Sequence, residues 1–205
     1  MRNDSQIAGL IEKESKRQSE TITLIPSENY CSKEVREAVG SVLTNKYAEG
    51  YPGRRYYNGN QYVDEIETLA IERAKILFGT PYANVQPYSG SPANSAIYMG
   101  LLEQSDTIMG LKLSGGGHLT HGHPVSFSGK YFHSVQYDVD ENGMLDMDVI
   151  KALVDKEKPK LIIVGYTAYP RVIDWKAWGA IADSVGAILL ADISHISGLG
   201  VGDAH

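Results

Sequence analysis

The sequence predicts an α/β fold, a mostly parallel sheet with flanking helices, and three observations carry that expectation. Short apolar or alternating runs, "TIMGL", "FHSVQYDV", "LIIVGY" and "AILLADI", recur through the second half of the chain. Helical patterns at residues 92 to 103, 147 to 156 and 175 to 185 separate several of them, the alternation expected of parallel strands covered by helices. The segments that follow the runs are polar and glycine-rich, which suits the carboxyl edge of such a sheet, where ligands bind. At 205 residues, 42% of them hydrophobic, the chain can bury a core without disulfides or structural metal.

Taken in order, residues 5 to 17 place Ile7, Leu10 and Ile11 on one helical face. "SKEVREAVGSVL" opens on a capping Ser32 and sets Val35, Val39 and Val42 at helical spacing, so two short helices flank "TLIPSENYC". Residues 45 to 60, "NKYAEGYPGRRYYNGN", hold four tyrosines and read as too irregular for helix or strand. "VDEIETLAIERAKILFG" is a third helix, with Ile66, Leu69, Ala70 and Leu77 inward and Gly79 at its C-terminal stop. "NVQPY" is the first expected strand. The following "YSGSPANSA" lets Ser91 cap a helix beginning at Pro92, where the missing N–H costs nothing. The remaining strands and helices then alternate to the end.

Net charge bounds the partner. At -6 the chain has no electrostatic reason to bind nucleic acid or an anionic membrane, so a small molecule is expected. One cysteine, Cys31, excludes an internal disulfide framework and fits a reducing compartment. The start lacks a basic segment followed by an apolar core, and no run approaches membrane-spanning length, so a cytoplasmic location is expected.

Four loops are expected to converge on one edge: "YSGSPANSA", "SGGGHLTHGH", "TAYPR" and "DISHISG". A helix start beside Ser89, Gly90 and Ser91 offers free N–H groups to a phosphate, although an ordinary capped helix has the same sequence and is favoured by this motif alone. The segment matches neither the Walker pattern nor G-x-G-x-x-G. His118, His121 and His123 invite zinc, but no nearby cysteine or H-E-x-x-H helix supports it; the preceding glycines suit an imidazole lying close to a flat ligand. "DVDENG" imitates the start of a calcium loop and then has Val149 where a bidentate glutamate is needed, so it reads as a turn. Asp192 ends an apolar run, where an isolated charge is costly unless it meets a cation. It is either a loop-capping carboxylate or the partner of a protonated heteroaromatic nitrogen, with His195 nearby. Phosphate cradle, stacking imidazole and nitrogen-pairing carboxylate, in that order, describe pyridoxal phosphate.

Seven ordered blocks carry a closer resemblance: "LIPSEN" (24 to 29), "NKYAEGYPGRRYYNGN" (45 to 60), "VQPYSGSPAN" (85 to 94), "GGHLTHG" (116 to 122), "FSGKYF" (127 to 132), "YPRVIDW" (169 to 175) and "ADISHISGL" (191 to 199). Through them the chain resembles the serine hydroxymethyltransferase family over essentially its whole length. The resemblance implies the fold type I of pyridoxal-phosphate-dependent transferases, aspartate aminotransferase-like. Residues 1 to 60 would form an N-terminal helical arm and active-site loop, and 61 to 205 a large domain incomplete at its C-terminus.

It also implies roles. Ser89, Gly90 and Ser91 would hold the cofactor phosphate and His118 would stack on the ring. Asp192 would pair with the ring nitrogen and His195 accompany its phenolic oxygen, with Thr167, where many members have serine, and Tyr47 also near the cofactor. Ser27, Glu49 and Tyr57 would line the substrate pocket, Tyr47 and Glu49 reaching it across a homodimer interface. Tyr56, Leu113, Gly117, His118 and Leu119 would lie near tetrahydrofolate. Glu49, the lone acid among these aromatic residues, would move protons at the hydroxyl oxygen. The implied reaction passes the hydroxymethyl carbon of serine to tetrahydrofolate, giving glycine and 5,10-methylenetetrahydrofolate. The family's cofactor lysine sits in a Thr-His-Lys-Thr block beyond the position of His205, so the resemblance implies half an active site and a chain inactive alone. The alternatives are a catalytically dead subunit or binding module, and another pyridoxal-phosphate enzyme such as a threonine aldolase.

Overall fold

The computed structural model describes residues 4 to 204 and divides into two compact units, Met1–Tyr30 and Cys31–His205. In the first, helix α1 (Ser5–Glu20) starts where the Asp4 carboxylate accepts the Ile7 N–H at 3.0 Å, satisfying an otherwise orphaned donor. Glu14 receives both arms of the Arg17 guanidinium, at 2.6 and 2.8 Å.

The second unit opens with α2 (Lys33–Val39), capped by Ser32 as expected. Val42 does not continue it: Gly40 ends the helix, and Val42 starts a separate 3-10 turn, Val42–Asn45, capped by Ser41. The tyrosine-rich segment contains a small antiparallel hairpin, β1 (Gly50–Tyr51) against β2 (Arg54–Arg55), where irregular chain was expected. Strands two residues long leave no period-2 pattern to read. Helix α3 (Gln61–Phe78) ends at Gly79 in the left-handed conformation, with φ 60°, as expected. Its apolar side is not covered, however. Ile66, Leu69 and Leu77 are exposed instead of inward, with no described residue of this unit covering them.

"NVQPY" is not a strand; residues 84 to 88 run irregularly, and the Asn84 side chain accepts the Gln86 N–H. Pro87 has no N–H to give a ladder, which weighs against a central strand there. Helix α4 (Gly90–Leu101) begins two residues earlier than expected, with Ser89 at the cap position and Pro92 third in the helix. Proline is still within the first turn, where N–H groups lack intrahelical partners.

The main sheet contains β3 (Thr107–Leu111), β4 (His133–Tyr137), β5 (Leu161–Val164) and β6 (Ile188–Ala191), all parallel, in the order β4-β3-β5-β6. Between them lie α5 (Phe127–Tyr131), α6 (Met147–Glu157) and α7 (Trp175–Val185), and α8 (Ser197–Val201) follows β6. Alternate residues of β5 face opposite ways. Ile162 and Val164 join Met109, Leu111, Ile150, Val154 and Trp178 on one face; Leu161 and Ile163 join Ile108, Tyr98 and Phe132 on the other. Burial on both faces explains why this strand is a continuous apolar run. The chain passes from β3 to β4 on one side and returns to β5 on the other, so the order reverses between β3 and β5. Such a switch point opens a crevice beyond the strand ends.

Candidate functional site

Three loops meet at that crevice, and glycine permits their approach. Gly116, in the loop after β3, adopts φ 103°, and its carbonyl accepts the N–H groups of Thr167 and Ala168, from the loop after β5, at 2.9 and 3.1 Å. A Cβ on Gly116 would stand 2.9 Å from the Tyr169 nitrogen. Gly165, at φ 133°, lies so close to the loop after β6 that a Cβ would come within 1.9 Å of the Asp192 carbonyl oxygen. Only glycine fits either place.

Asp192 follows β6 directly, and its side chain is largely buried. Its Oδ2 accepts from His121 Nε2 at 2.8 Å and Asn94 Nδ2 at 3.0 Å; its Oδ1 accepts from Ser194, from the N–H at 3.2 Å and the hydroxyl at 2.6 Å. Burial works against the charge, but these donors outweigh it and hold the carboxyl well below the usual carboxylate range. Asp192 is therefore an anion across the neutral range. His121 was not among the expected site residues, although its motif had been weighed for metal and set aside. Its ring is 1% exposed, and 71 positions of sequence separate it from the carboxylate it binds. Its buried Nδ1 has no hydrogen-bond partner among the described residues.

Asn94 extends the network. Its Nδ2 donates to Asp192 and, at 2.9 Å, to the Thr120 hydroxyl, so the first turns of α4 are tied to the sheet edge. The Gly90 position opens toward Ser194, whose hydroxyl oxygen would be 3.9 Å from a Cβ there. Thr120 in turn donates to His118 Nδ1 from its backbone at 3.2 Å, with its hydroxyl oxygen 2.8 Å away. With Nδ1 accepting, the neutral ring carries its proton on Nε2. His118 is half-buried, and burial is the main cause that pushes its pKa down, helped by His121 and His195.

The expected cofactor residues other than Tyr47 thus fall together: Ser89, Gly90 and Ser91 at the start of α4, His118 on the β3 loop, Thr167 on the β5 loop, and Asp192 with His195 after β6. Leu113, Gly117 and Leu119 share the loop of His118; Gly117 is buried, whereas Leu113 and Leu119 expose about two-fifths of their surface, 43% and 42%. Tyr47, Glu49, Tyr56 and Tyr57 form a second group around the hairpin, and all four are exposed. Tyr47 and Tyr57 meet edge to face with centroids 5.2 Å apart. Ser27 belongs to the other unit. Among the described residues no three histidine, cysteine, aspartate or glutamate side chains are grouped to hold a metal ion, and no helix is long and apolar enough to cross a membrane. The "DVDENG" segment is a turn, its Asp140 carboxylate accepting from the N–H groups of Asn142 and Met144.

Comparison with known proteins decides the family. Residues 1 to 205 match the serine hydroxymethyltransferase family. The chain belongs to that family. It is 60% identical over 203 residues to the serine hydroxymethyltransferase of Acidothermus cellulolyticus, covering 98% of this chain and 48% of that protein. It is 59% identical over 203 residues to that of Mycoplasmopsis agalactiae, covering 99% and 48%, and 55% identical over 197 residues to that of Methylococcus capsulatus, covering 96% and 47%. The chain therefore spans about half the length of the curated relatives it matches. The serine hydroxymethyltransferase family has fold type I, and the parallel sheet with helices on both faces is consistent with part of its large domain.

The donor set fits pyridoxal phosphate. An anionic carboxylate, an imidazole with one nitrogen fixed, and unpaired first-turn N–H groups of a 12-residue helix surround one crevice. Its one demand is at Asp192, whose roughly four acceptor positions are all taken. The Ser194 hydroxyl, on an exposed residue, is the donor that can rotate away.

Proposed function

We propose that the chain contributes to reversible transfer of a hydroxymethyl carbon between serine and tetrahydrofolate, with glycine and 5,10-methylenetetrahydrofolate on the other side. The observation that carries this reading is the chain of bonds from Asp192 through Asn94 and Thr120 to His118, which links an ionised carboxylate, a helix start and an oriented imidazole. Gly90 and Ser91 N–H groups, with the Ser89 and Ser91 hydroxyls, would hold the phosphate. His118 and Asp192 would bind the ring face and the ring nitrogen, and His195, Thr167 and Tyr47 would complete the cofactor's surroundings. Bound there, pyridoxal phosphate supplies an electron sink for breaking a carbon–carbon bond next to an amino group.

The chain's own residues do the rest. Asp192, kept anionic by three side chains, would hold a proton on the ring nitrogen of a bound cofactor. His118 offers a neutral face with its tautomer set by Thr120. Glu49 takes and returns the proton of the serine hydroxyl at its carboxylate oxygens. Ser27 and Tyr57 would bind the amino acid, while Leu113, Leu119 and Tyr56 give apolar surface to the folate beside Gly117. The exposure of Tyr47, Glu49 and Tyr57, with Val39, Ile66 and Leu69, supports a second copy of the chain as their covering and hence a homodimer; the single cysteine is the feature that favours the cytoplasm. We infer that the lysine that anchors the cofactor lies outside residues 1 to 205.

Asp192→Asn in the full-length gene product tests the reading. Folate-dependent serine cleavage should fall by at least about 100-fold, as when a group stabilising developing charge is lost, while the fold is largely kept. Unchanged cleavage would remove Asp192 from the mechanism.

A further inference from the structure

The hairpin that carries Glu49 is held by one arginine. Arg55, at the end of β2, has a side chain only 4% exposed. Its Nη1 donates to the carbonyls of Ala48 at 2.8 Å and Gly50 at 2.7 Å, the residues on either side of Glu49. Its Nε and Nη2 donate to two carboxylates of α3, Asp64 at 2.8 Å and Glu67 at 2.5 Å. Asp64 also accepts the Gly53 N–H at the hairpin tip, at 3.0 Å, and Gln86 bridges Gly50 O and Glu67 at 2.8 and 2.7 Å. The Glu49 carbonyl is used as well, accepting the Tyr56 N–H at 3.2 Å. Every backbone carbonyl from 48 to 50 is thereby tied, and all but Glu49's own runs through Arg55.

We propose that Arg55 is a positioning residue for Glu49, joining the loop to helix α3 so that the carboxylate is presented from a fixed backbone. This rests on the reading of Glu49 as the proton-moving group. Two paired carboxylates let the guanidinium be buried, since alone it would be strongly disfavoured there. The planar fork matters beyond its charge: two carbonyls and two carboxylates are met in different directions, which the three donors of a lysine on a flexible stem cannot reproduce. Gln86 reinforces the same carbonyl from an exposed position. Glu49 itself stays exposed at its side chain, and the bonds described hold only its backbone.

The experiment is a double-mutant cycle in the full-length gene product loaded with pyridoxal phosphate, using Arg55→Lys, Glu49→Gln and both together. Arg55→Lys should lower folate-dependent serine cleavage by about 10- to 100-fold, the cost of misplacing a reacting group by about an ångström. Cofactor absorbance should be unchanged. In the Glu49→Gln background the same substitution should have almost no further effect, and hydrogen exchange at the Tyr56 amide should speed up about tenfold in Arg55→Lys whether or not cofactor is present. Equal losses in both backgrounds would overturn the positioning role while leaving Glu49 in place. Full activity in Glu49→Gln would sink the reading of Glu49 and this proposal with it. Should Arg55→Lys fail to fold, Gln86→Leu removes only the outer bonds; it should give a smaller loss that again vanishes with Glu49→Gln, and additivity there would equally overturn the proposal.

Discussion

Replacing His121 by leucine separates the two things the imidazole does: it fills buried space and donates to a buried carboxylate. The 2.8 Å bond from Nε2 to Asp192 Oδ2 has a charged acceptor, a class worth about 1.5–3 kcal/mol. The substitution also abolishes the unpartnered buried Nδ1, which returns roughly 1 kcal/mol. A net loss of about 0.5–2 kcal/mol at pH 7 follows from those magnitudes, with up to about 1.5 kcal/mol more from the change of shape. Acid distinguishes the two contributions. Asp192 has a folded-state pKa below its unfolded value, so its stabilisation is fully present above about pH 4 and is lost as pH falls through the folded value. In the variant the depression is smaller, so less is lost on acidification. Urea unfolding followed by circular dichroism should therefore show a gap between parent and variant that is largest near pH 7 and narrows below pH 4 to the packing contribution alone. A gap of the same size at both ends, or none at pH 7, would refute the account of how Asp192 is kept charged.

Other outcomes follow from the same geometry. Gly165→Ala should unfold or strongly destabilise the protein, because a Cβ would fall 1.9 Å from the Asp192 carbonyl oxygen; a melting temperature within a few degrees of the parent would contradict the close approach of the two loops. Trp178→Ala removes a ring 1% exposed beneath Tyr137 and should cost about 3–5 kcal/mol in chemical denaturation. Asp146→Ala deletes the acceptor for the Asp148 and Val149 N–H groups and should cost about 1 kcal/mol, largely recovered by Asp146→Ser. His118 should titrate below the ordinary value of 6.5 by NMR; its folded pKa being depressed, the unfolded chain binds the proton first, so this group lowers stability as pH falls through that range. A value at or above 6.5 would remove its burial as the cause.

Some elements were legible because local chemistry and apolar period agreed. Helices α6 and α7 begin at capping aspartates, Asp146 and Asp174, and each carries a regular apolar stripe, so their ends were read to within a residue. The inner strands β3 and β5 show as apolar runs because their faces lie between two layers. The start of α4 was misread by two residues: Ser91 and Pro92 make a plausible cap pair, but both lie in the first turn, and only the φ of -160° at Ser89 marks the true cap. Helix α3 looked inward-facing from its stripe of Ile66, Leu69 and Leu77. A stripe reports that a helix has a partner and says nothing of whether that partner belongs to the same chain. The meeting of the loops that carry Asp192 and His118 was legible, because each loop follows an apolar run of the parallel sheet. The site was illegible where it depended on pairing at a distance, as with His121 and Asp192 or Arg55 and Glu67.

The two groups of site residues are held by different physical means. Around Asp192, position is enforced by backbone contact: Gly116 and Gly165 bring three loops so close that no side chain fits, and the side-chain bonds only refine what the loops have already fixed. Around Glu49 there is no sheet to lean on, only a hairpin of two-residue strands, too short to be stable by itself. A buried guanidinium with two carboxylates takes over that task there. Such a cluster contributes less to net stability than an apolar core would, but its directional bonds specify one arrangement of the loop. If the proposed function holds, a rigid cradle for a flat cofactor and an exposed acid on a slender loop are separate demands, and the two devices answer one each. On the reading proposed above, the exposed tyrosines around Glu49 would be covered by a second copy of the chain, and the sheet edge at Asp192 would carry the cofactor's half of the chemistry.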